Sequence, residues 1–384
     1  MTKDVIQIIT SCNCNKVHHT FSIPTSTLPL PAILCNCNSA RHISGALFTS
    51  YILLTGYDSF GVVGCDGLEM VVYGSEDGGV KRWFCGDCGS HVYREDHGGG
   101  GLGVASGVVK WEGVEGVEKE LIEWMVCDKW YEEEKDTFLT RIDGEKLEIR
   151  RKKDKLPSHL DTITSTNTKA PKKTTESTSE TVQAHCHCKG VNFYITPPNI
   201  SSSTSARSPY PDLMVPAHTG GNPNVGNKPW WLPSPTRYLA GTCTCPSCRA
   251  SSGFDITFWS FIPTCNIFLD TTLTTPFTTT QTWGSLKTHS SSKGVTRGFC
   301  GICGANVFWA GSKDIQGREG LIDIAVGLIG GEGVERMLAW WTGRVSFAEE
   351  AGDGKLVRGL EDGLREWAVV NRGSGRMARH EFEV

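Results

Sequence analysis

Thirteen of the 16 cysteines in this chain fall into CxC or CxxC groups, and that spacing limits the possible folds more than any other feature. The groups are Cys12/Cys14, Cys35/Cys37, Cys85/Cys88, Cys186/Cys188, Cys243/Cys245/Cys248 and Cys300/Cys303. Cysteines this dense serve either a disulfide framework or metal ligation. The first 14 residues have neither the basic start nor the apolar core of a signal peptide, and no run approaches the ~20 apolar residues that span a bilayer. The expected compartment is therefore intracellular, the cytoplasm, where disulfides are rare and the pairs read as metal ligands. Cys65, Cys127 and Cys265 stand apart from the groups and read as small buried apolar residues.

The groups recur in order. Cys12-Asn13-Cys14 leads into the extended run 17–23, ended by Pro24, and Cys186-His187-Cys188 leads likewise into 191–195, ended by Pro197 and Pro198. A second cluster follows in each half: Cys35-Asn36-Cys37 with Arg41, and Cys243-Thr244-Cys245-Pro246-Ser247-Cys248-Arg249. Each half then closes on a CxxCG, Arg82-Trp83-Phe84-Cys85-Gly86-Asp87-Cys88-Gly89 and Arg297-Gly298-Phe299-Cys300-Gly301-Ile302-Cys303-Gly304. Order, spacing and the flanking Arg and Phe all repeat, which indicates an internal duplication. A length of 384 residues accommodates two domains, each with its own core.

The expected layout is a first domain over 8–150, a linker over 151–181, a second domain over 182–370 and a tail over 371–384. Within the linker, 161–181 is rich in Thr, Ser and Lys with almost no large apolar residue, so it buries too little to offset the entropy of ordering. The basic run 150–155, just before that stretch, reads as a solvated helix end or linker start. Residues 196–235, full of Pro, Ser, Gly and Asn, read as a loop inserted between the CxC and the triplet of the second half. Elsewhere, β-branched and aromatic runs at 48–54, 70–73, 256–262, 306–309 and 321–326 suit short strands. Leu356, Leu360, Leu364 and Trp367 recur at helical spacing, with Gly359 and Gly363 speaking against that helix. The fold class is mainly β with few short helices. A net charge of -4 implies neither nucleic acid nor an anionic membrane as partner.

Two cysteines three apart can turn back on one metal, and the Gly after the second accepts a left-handed backbone. A CxxC is half of a closed tetrahedral site, and a CxC of the same half supplies the rest; spacing alone leaves open which one. Cys243, Cys245 and Cys248 offer three thiolates and an unfilled fourth corner, the mark of a reactive rather than a structural zinc site. Three thiolates leave a zinc centre at about -1, a weak activator of water and a better partner for a soft sulfur ligand. A thiol bound there is held as thiolate, the nucleophile that adds to an aldehyde carbon.

The succession CxC, CxCxxCR and RxFCxxCG resembles the glutathione-dependent formaldehyde-activating enzyme family, which also includes the centromere protein V domain, here in two tandem copies. The resemblance implies tandem zinc-binding folds of the β-tent type. It implies structural zinc sites at Cys12, Cys14, Cys85 and Cys88, and at Cys186, Cys188, Cys300 and Cys303, with a further active-type zinc at Cys243, Cys245 and Cys248. In the first half Ala40 stands where the third cysteine belongs, leaving Cys35 and Cys37 as a decayed site. His42 is near enough in sequence to substitute, and otherwise reads as a surface or hydrogen-bonded histidine. Arg249 offsets the cluster's charge, grips a substrate carboxylate or forms a plain salt bridge. His185 and His187 are candidates for a proton relay or for supports of the metal ligands. The implied activity is that of a carbon-sulfur lyase acting on glutathione and formaldehyde or a similar thiol and aldehyde. The competing reading is a non-catalytic, zinc-stabilised binding module of the centromere protein V type. Redox CxxC pairs fit poorly because their usual setting is βαβ, and paired spacing suits zinc better than an iron-sulfur cluster.

Overall fold

The computed structural model describes residues 4–57, 70–74, 80–96, 101–126, 138–147, 181–204, 208–220, 224–312, 318 and 320–378. The expected linker and the basic run 150–155 lie outside these residues except at position 181, as do Cys65 and Cys127. In chain order the first half runs β1 (Val5–Ser11), β2 (His18–Pro24), β3 (Leu30–Cys35), α1 (Asn38–Ser44), β4 (Thr49–Leu54), β5 (Met70–Gly74), β6 (Val80–Cys85), β7 (His91–Asp96), β8 (Leu102–Ala105), β9 (Val109–Glu112) and β10 (Ile122–Val126). A short hairpin follows, β11 (Arg141–Ile142) and β12 (Glu145–Lys146). The second half runs β13 (Val182–His185), β14 (Asn192–Ile195), β15 (Tyr238–Cys243), α2 (Pro246–Ser252), β16 (Thr257–Pro263), β17 (Ile267–Phe268), β18 (Leu286–Ser292), β19 (Val295–Cys300), β20 (Asn306–Gly311), β21 (Leu321–Ala325), α3 (Gly331–Met337), β22 (Leu338–Trp340) and α4 (Gly354–Val370).

The two halves are built alike. One seven-stranded sheet has the order β10-β3-β4-β8-β7-β6-β5, and the other β22-β15-β16-β21-β20-β19-β18. Each is antiparallel except for its β3/β10 or β15/β22 edge, which is parallel. A three-stranded sheet accompanies each, β2-β1-β9 and β13-β14-β17. Strand pairing aligns the halves residue by residue: Cys35 opposes Thr49 as Cys243 opposes Thr257, and Arg82 opposes Arg94 as Arg297 opposes Trp309. The mainly β fold with few helices is as the sequence leads one to expect.

The halves face each other across a pseudo-two-fold contact made possible by glycine. Gly45 and Gly253 close α1 and α2 in the left-handed conformation. A Cβ at Gly45 would lie 2.3 Å from the Asn306 carbonyl oxygen, and one at Gly253 would lie 2.3 Å from that of His91. The amides of Gly327 and Gly107 donate to the carbonyls of Gly45 (2.8 Å) and Gly253 (2.9 Å). Gly89 and Gly304, the glycines of the two CxxCG motifs, lie against Phe299 and Phe84 of the opposite half. Buried residues of both halves, from Leu34 and Phe48 to Phe258 and Ile324, share one core.

Helix α4 shows what Gly359 and Gly363 are for. Leu356, Leu360 and Leu364 are fully buried at helical spacing, and Asp353 caps the first turn by accepting from Lys355 and Leu356 amides. The two glycines lie against residues 138–141 of the first half: a Cβ at Gly363 would lie 1.5 Å from the Phe138 carbonyl oxygen, and one at Gly359 would lie 2.2 Å from that of Arg141. They lower helix propensity so that the segment 138–141 can cross at close range. Gly363→Ala is expected to cost about 3 kcal/mol, read as a lower urea midpoint at unchanged slope. An unchanged midpoint would mean that the crossing is not held this closely.

Two local readings change. Cys265 is exposed rather than buried, because it lies on the outer side of the turn Thr264–Asn266 while Asn266 points inward. The segment after α4 returns to the sheet: Trp340 donates its amide to Arg376, Ala378 donates to Trp340, and Ala378 is buried. The described residues of 196–235 are irregular and packed. Trp230 and Trp231 among them are fully buried, and with Leu213, Leu239 and Phe261 they form a small core of their own.

Candidate metal centres and the cavity above the triad

Three groups of thiols converge. Cys12, Cys14, Cys85 and Cys88 form one, Cys186, Cys188, Cys300 and Cys303 a second, and Cys243, Cys245 and Cys248 a third, with all sulfurs of a group within 4.8 Å of one another. Each four-cysteine set joins the turn after the first strand of the small sheet to the turn between two strands of the large one. Spacing left the partner of each CxxC open, and the fold pairs it with the first CxC of its half. The backbone prepares these sulfurs for negative charge. Val17 donates its amide to Cys12, Val191 to Cys186, and Ile302 and Cys303 to Cys300. Neighbouring sulfurs lie 3.4 to 3.6 Å apart. Four thiolates around a metal at ~2.3 Å span edges of about 3.8 Å, so the sets fit a tetrahedral ion with little movement.

The triad follows from where its sequence falls. Cys243 ends β15, Cys245 is the N-cap of α2 with its sulfur accepting from the Cys248 amide (3.4 Å), and Pro246 opens the helix where no amide donor is needed. Cys248 then turns back toward Cys243 after one turn of backbone. The first half repeats this frame without the third sulfur. Cys37 caps α1, accepting from the Ala40 amide at the same 3.4 Å, its sulfur 3.5 Å from that of Cys35. Ala40, fully buried, occupies the place of Cys248. Among the described residues, Cys35 and Cys37 have no third ligand. His42 is turned elsewhere, donating from Nδ1 to the His185 carbonyl (2.8 Å) and stacking on the His185 ring. Burial lowers its pKa to about 4. His187 pairs through Nδ1 with the Tyr73 hydroxyl at 2.7 Å.

A cavity of about 420 Å³ opens above the triad. Its walls include Cys243, Cys245 and Cys248, the aromatic side chains Trp259, Phe261 and Trp309, and the charged Arg297, Arg318 and Asp323. Arg297 donates from Nη2 to Cys248 (3.5 Å) and to the Ser247 hydroxyl (3.1 Å), while its buried Nη1 has no hydrogen-bond partner among the described residues. Hydrogen bonds from Cys243 and Cys245 hold the Cys248 thiol well below its ordinary pKa, and the Arg297 guanidinium adds to the effect. Arg318 pairs with Asp323 at 3.1 Å and lies over the rings of Trp230, Phe261 and Trp309. Burial pushes the Asp323 carboxyl up to about 6 against the pull of Arg318.

Arg249 is not among the cavity walls. It donates to the carbonyls of Thr244 (3.0 Å) and Glu350 (3.2 Å), and so ties α2 to the segment before α4. Of the two cavity arginines, Arg297 is the one that meets the triad. The signal for it was in the repeat, since an Arg stands three residues before each CxxC. Nothing local marked Asp323, Trp259 or Trp309, which register brings to one face: Trp309 opposes both Arg297 and Asp323, and Phe261 opposes Asp323.

Residues 7–124 match the family model described as glutathione-dependent formaldehyde-activating enzyme. The match covers the half with Ala40, and the intact triad lies beyond it. No curated protein and no solved structure matches the chain.

Proposed function

We propose, from the premise that residues 7–124 form a domain of the glutathione-dependent formaldehyde-activating enzyme family, that 182–370 is a second copy and carries the working site of a zinc-dependent carbon-sulfur lyase. The shared strand order of the two seven-stranded sheets and the aligned cysteine positions support a second copy. Each four-cysteine set would hold a structural zinc, since all-thiolate tetrahedral donors suit that ion. Cys243, Cys245 and Cys248, which line the cavity, would hold a third. A zinc held by these three residues would lower the pKa of an incoming thiol and favour its nucleophilic thiolate.

The chain's own residues supply the rest. The reaction joins the thiol sulfur to the aldehyde carbon while the carbonyl π pair moves to oxygen, which takes up a proton; the reverse breaks the carbon-sulfur bond. Arg297 sits beside Cys248 with Nη1 unengaged, and can donate to the oxygen as its charge grows or to a carboxylate of the thiol. The observation that carries this reading is the coincidence of the three-sulfur set, the cavity and that unpaired donor.

Exchange spectroscopy on glutathione and formaldehyde, following formation and cleavage of S-hydroxymethylglutathione, tests it. The zinc-loaded chain should accelerate exchange, and Arg297→Gln should slow it roughly tenfold to a hundredfold. No acceleration at full metal content would favour the binding-module reading, which the loss of the third cysteine at Ala40 supports. The decayed half gives a second test. Ala40→Cys restores the missing sulfur in an unchanged frame and is expected to raise zinc content by one per chain, measured by native mass spectrometry. Unchanged content would mean that more than one residue separates the two sites.

A further inference from the structure

We infer that the cavity takes adducts whose aldehyde part is an apolar body of about phenyl size, and that the insertion 196–235 builds the wall that selects them. The inference rests on the thiol-aldehyde reading above and names the substrate class of that site.

The two halves differ where it matters. On the cavity face of the second sheet stand Gly241, Trp259, Phe261, Trp309 and Asp323; the aligned positions of the first sheet hold Ile33, Tyr51, Leu53, Arg94 and Gly103. The half with the intact triad has the tryptophans. In the other, Arg94 takes the place of Trp309 and lies over the Tyr51 ring.

The insertion completes the enclosure. Pro209, Tyr210, Pro211 and Leu213 line the cavity opposite the sheet. Asp212 fixes them there by accepting from the Phe347 amide (2.6 Å), the Ser346 hydroxyl (3.0 Å) and Arg344 (3.1 Å) on one oxygen and from the Ala217 amide (2.6 Å) on the other. The sheet is shaped to receive this wall. A Cβ at Gly241 would lie 2.3 Å from Leu213 Cδ2, so the isoleucine found at the aligned position of the first half would displace the Leu213 side chain from its place against the sheet.

Formaldehyde has two heavy atoms and would leave these aromatic walls in contact with water. Glutathione is a zwitterion, and its natural partners in the cavity are Arg297 and the Arg318–Asp323 pair rather than the rings. Apolar walls with a few convergent polar groups are how pockets bind a ligand with an apolar body and a polar end. A ring placed against Trp259 or Trp309 gains edge or offset stacking as well as burial.

The test is calorimetric binding of two stable thioethers, S-benzylglutathione and S-methylglutathione, to the zinc-loaded full chain. S-benzylglutathione is expected to bind at least about tenfold more tightly. Tyr210→Ala is expected to shrink that advantage at unchanged zinc content, weakening S-benzylglutathione more than S-methylglutathione. Equal affinities, a preference for the methyl compound, no binding of either, or an equal loss of both in Tyr210→Ala would overturn the inference. The underlying reading fails separately. A benzyl preference without adduct exchange would leave the pocket assignment and remove the chemistry, whereas exchange of the formaldehyde adduct without a benzyl preference would do the reverse.

Discussion

Cys303→Ser is expected to unfold the second half or render the chain insoluble. Cys303 and Cys300 lie in the turn between β19 and β20, and Cys186 and Cys188 lie in the turn after β13, so the set joins the large and small sheets. All four sulfurs come from buried or half-buried residues. Structural zinc in a thiolate cage contributes about 10–16 kcal/mol at neutral pH, as much as the whole net stability of an ordinary domain. Losing one ligand forfeits a large part of that and leaves buried thiols without a partner. A thermal melt of purified protein, with zinc content measured beside it, should show a midpoint at least about 15 °C lower or no cooperative transition. A midpoint within a few degrees of the parent would show that this set does not hold the fold. Gly304, next in sequence, packs against Phe84 of the first half, so the first half is expected to lose stability as well.

Cys248→Ala should do the opposite. The chain already contains the structure this variant would adopt, because Ala40 fills the same position in the first half with the N-cap hydrogen bond from Ala40 to Cys37 intact. A melting midpoint close to the parent's is expected, with zinc content lower by one per chain. Two thiolates, Cys243 and Cys245, are a weak zinc set on their own. Adduct exchange is expected to fall by about a thousandfold or more, because the group that holds the thiol as thiolate is lost outright. Retained exchange at reduced zinc content would place the chemistry elsewhere.

The cysteine pattern made much of this arrangement readable in advance. CxC and CxxCG repeat with fixed neighbours because each motif is a complete local device: a strand end, a turn and the donors that face its sulfurs. The likeness of the two halves, the convergence of the four-cysteine sets and the gap at Ala40 follow from that local grammar. The helix from Gly354 was legible from its leucines, while Gly359 and Gly363 looked like flaws only because the segment crossing them comes from the other half of the chain. The cavity was not legible. Trp259, Trp309, Asp323 and Arg297 lie on three different pairings of one sheet, and only register brings them to one face. The insertion deceived for a related reason: Pro, Ser and Gly suggest a loose loop, yet Trp230, Trp231 and the carboxylate of Asp212 fasten it to the sheet at a few points far apart in sequence. Arg249 shows the converse. It is next to Cys248 in sequence and is turned away from it by one step of the helix, while Arg297, 49 residues from Cys248, meets the sulfur.

The central claim is that the triad is a metal site open to a thiol. Cobalt substituted for zinc reports this directly, because its visible bands depend on the number of sulfur ligands. Titrating glutathione into the cobalt-loaded chain should raise the sulfur-to-cobalt charge-transfer band and shift the ligand-field bands in the parent, and do neither in Cys248→Ala. An identical response in both proteins, or none in either, would contradict the claim.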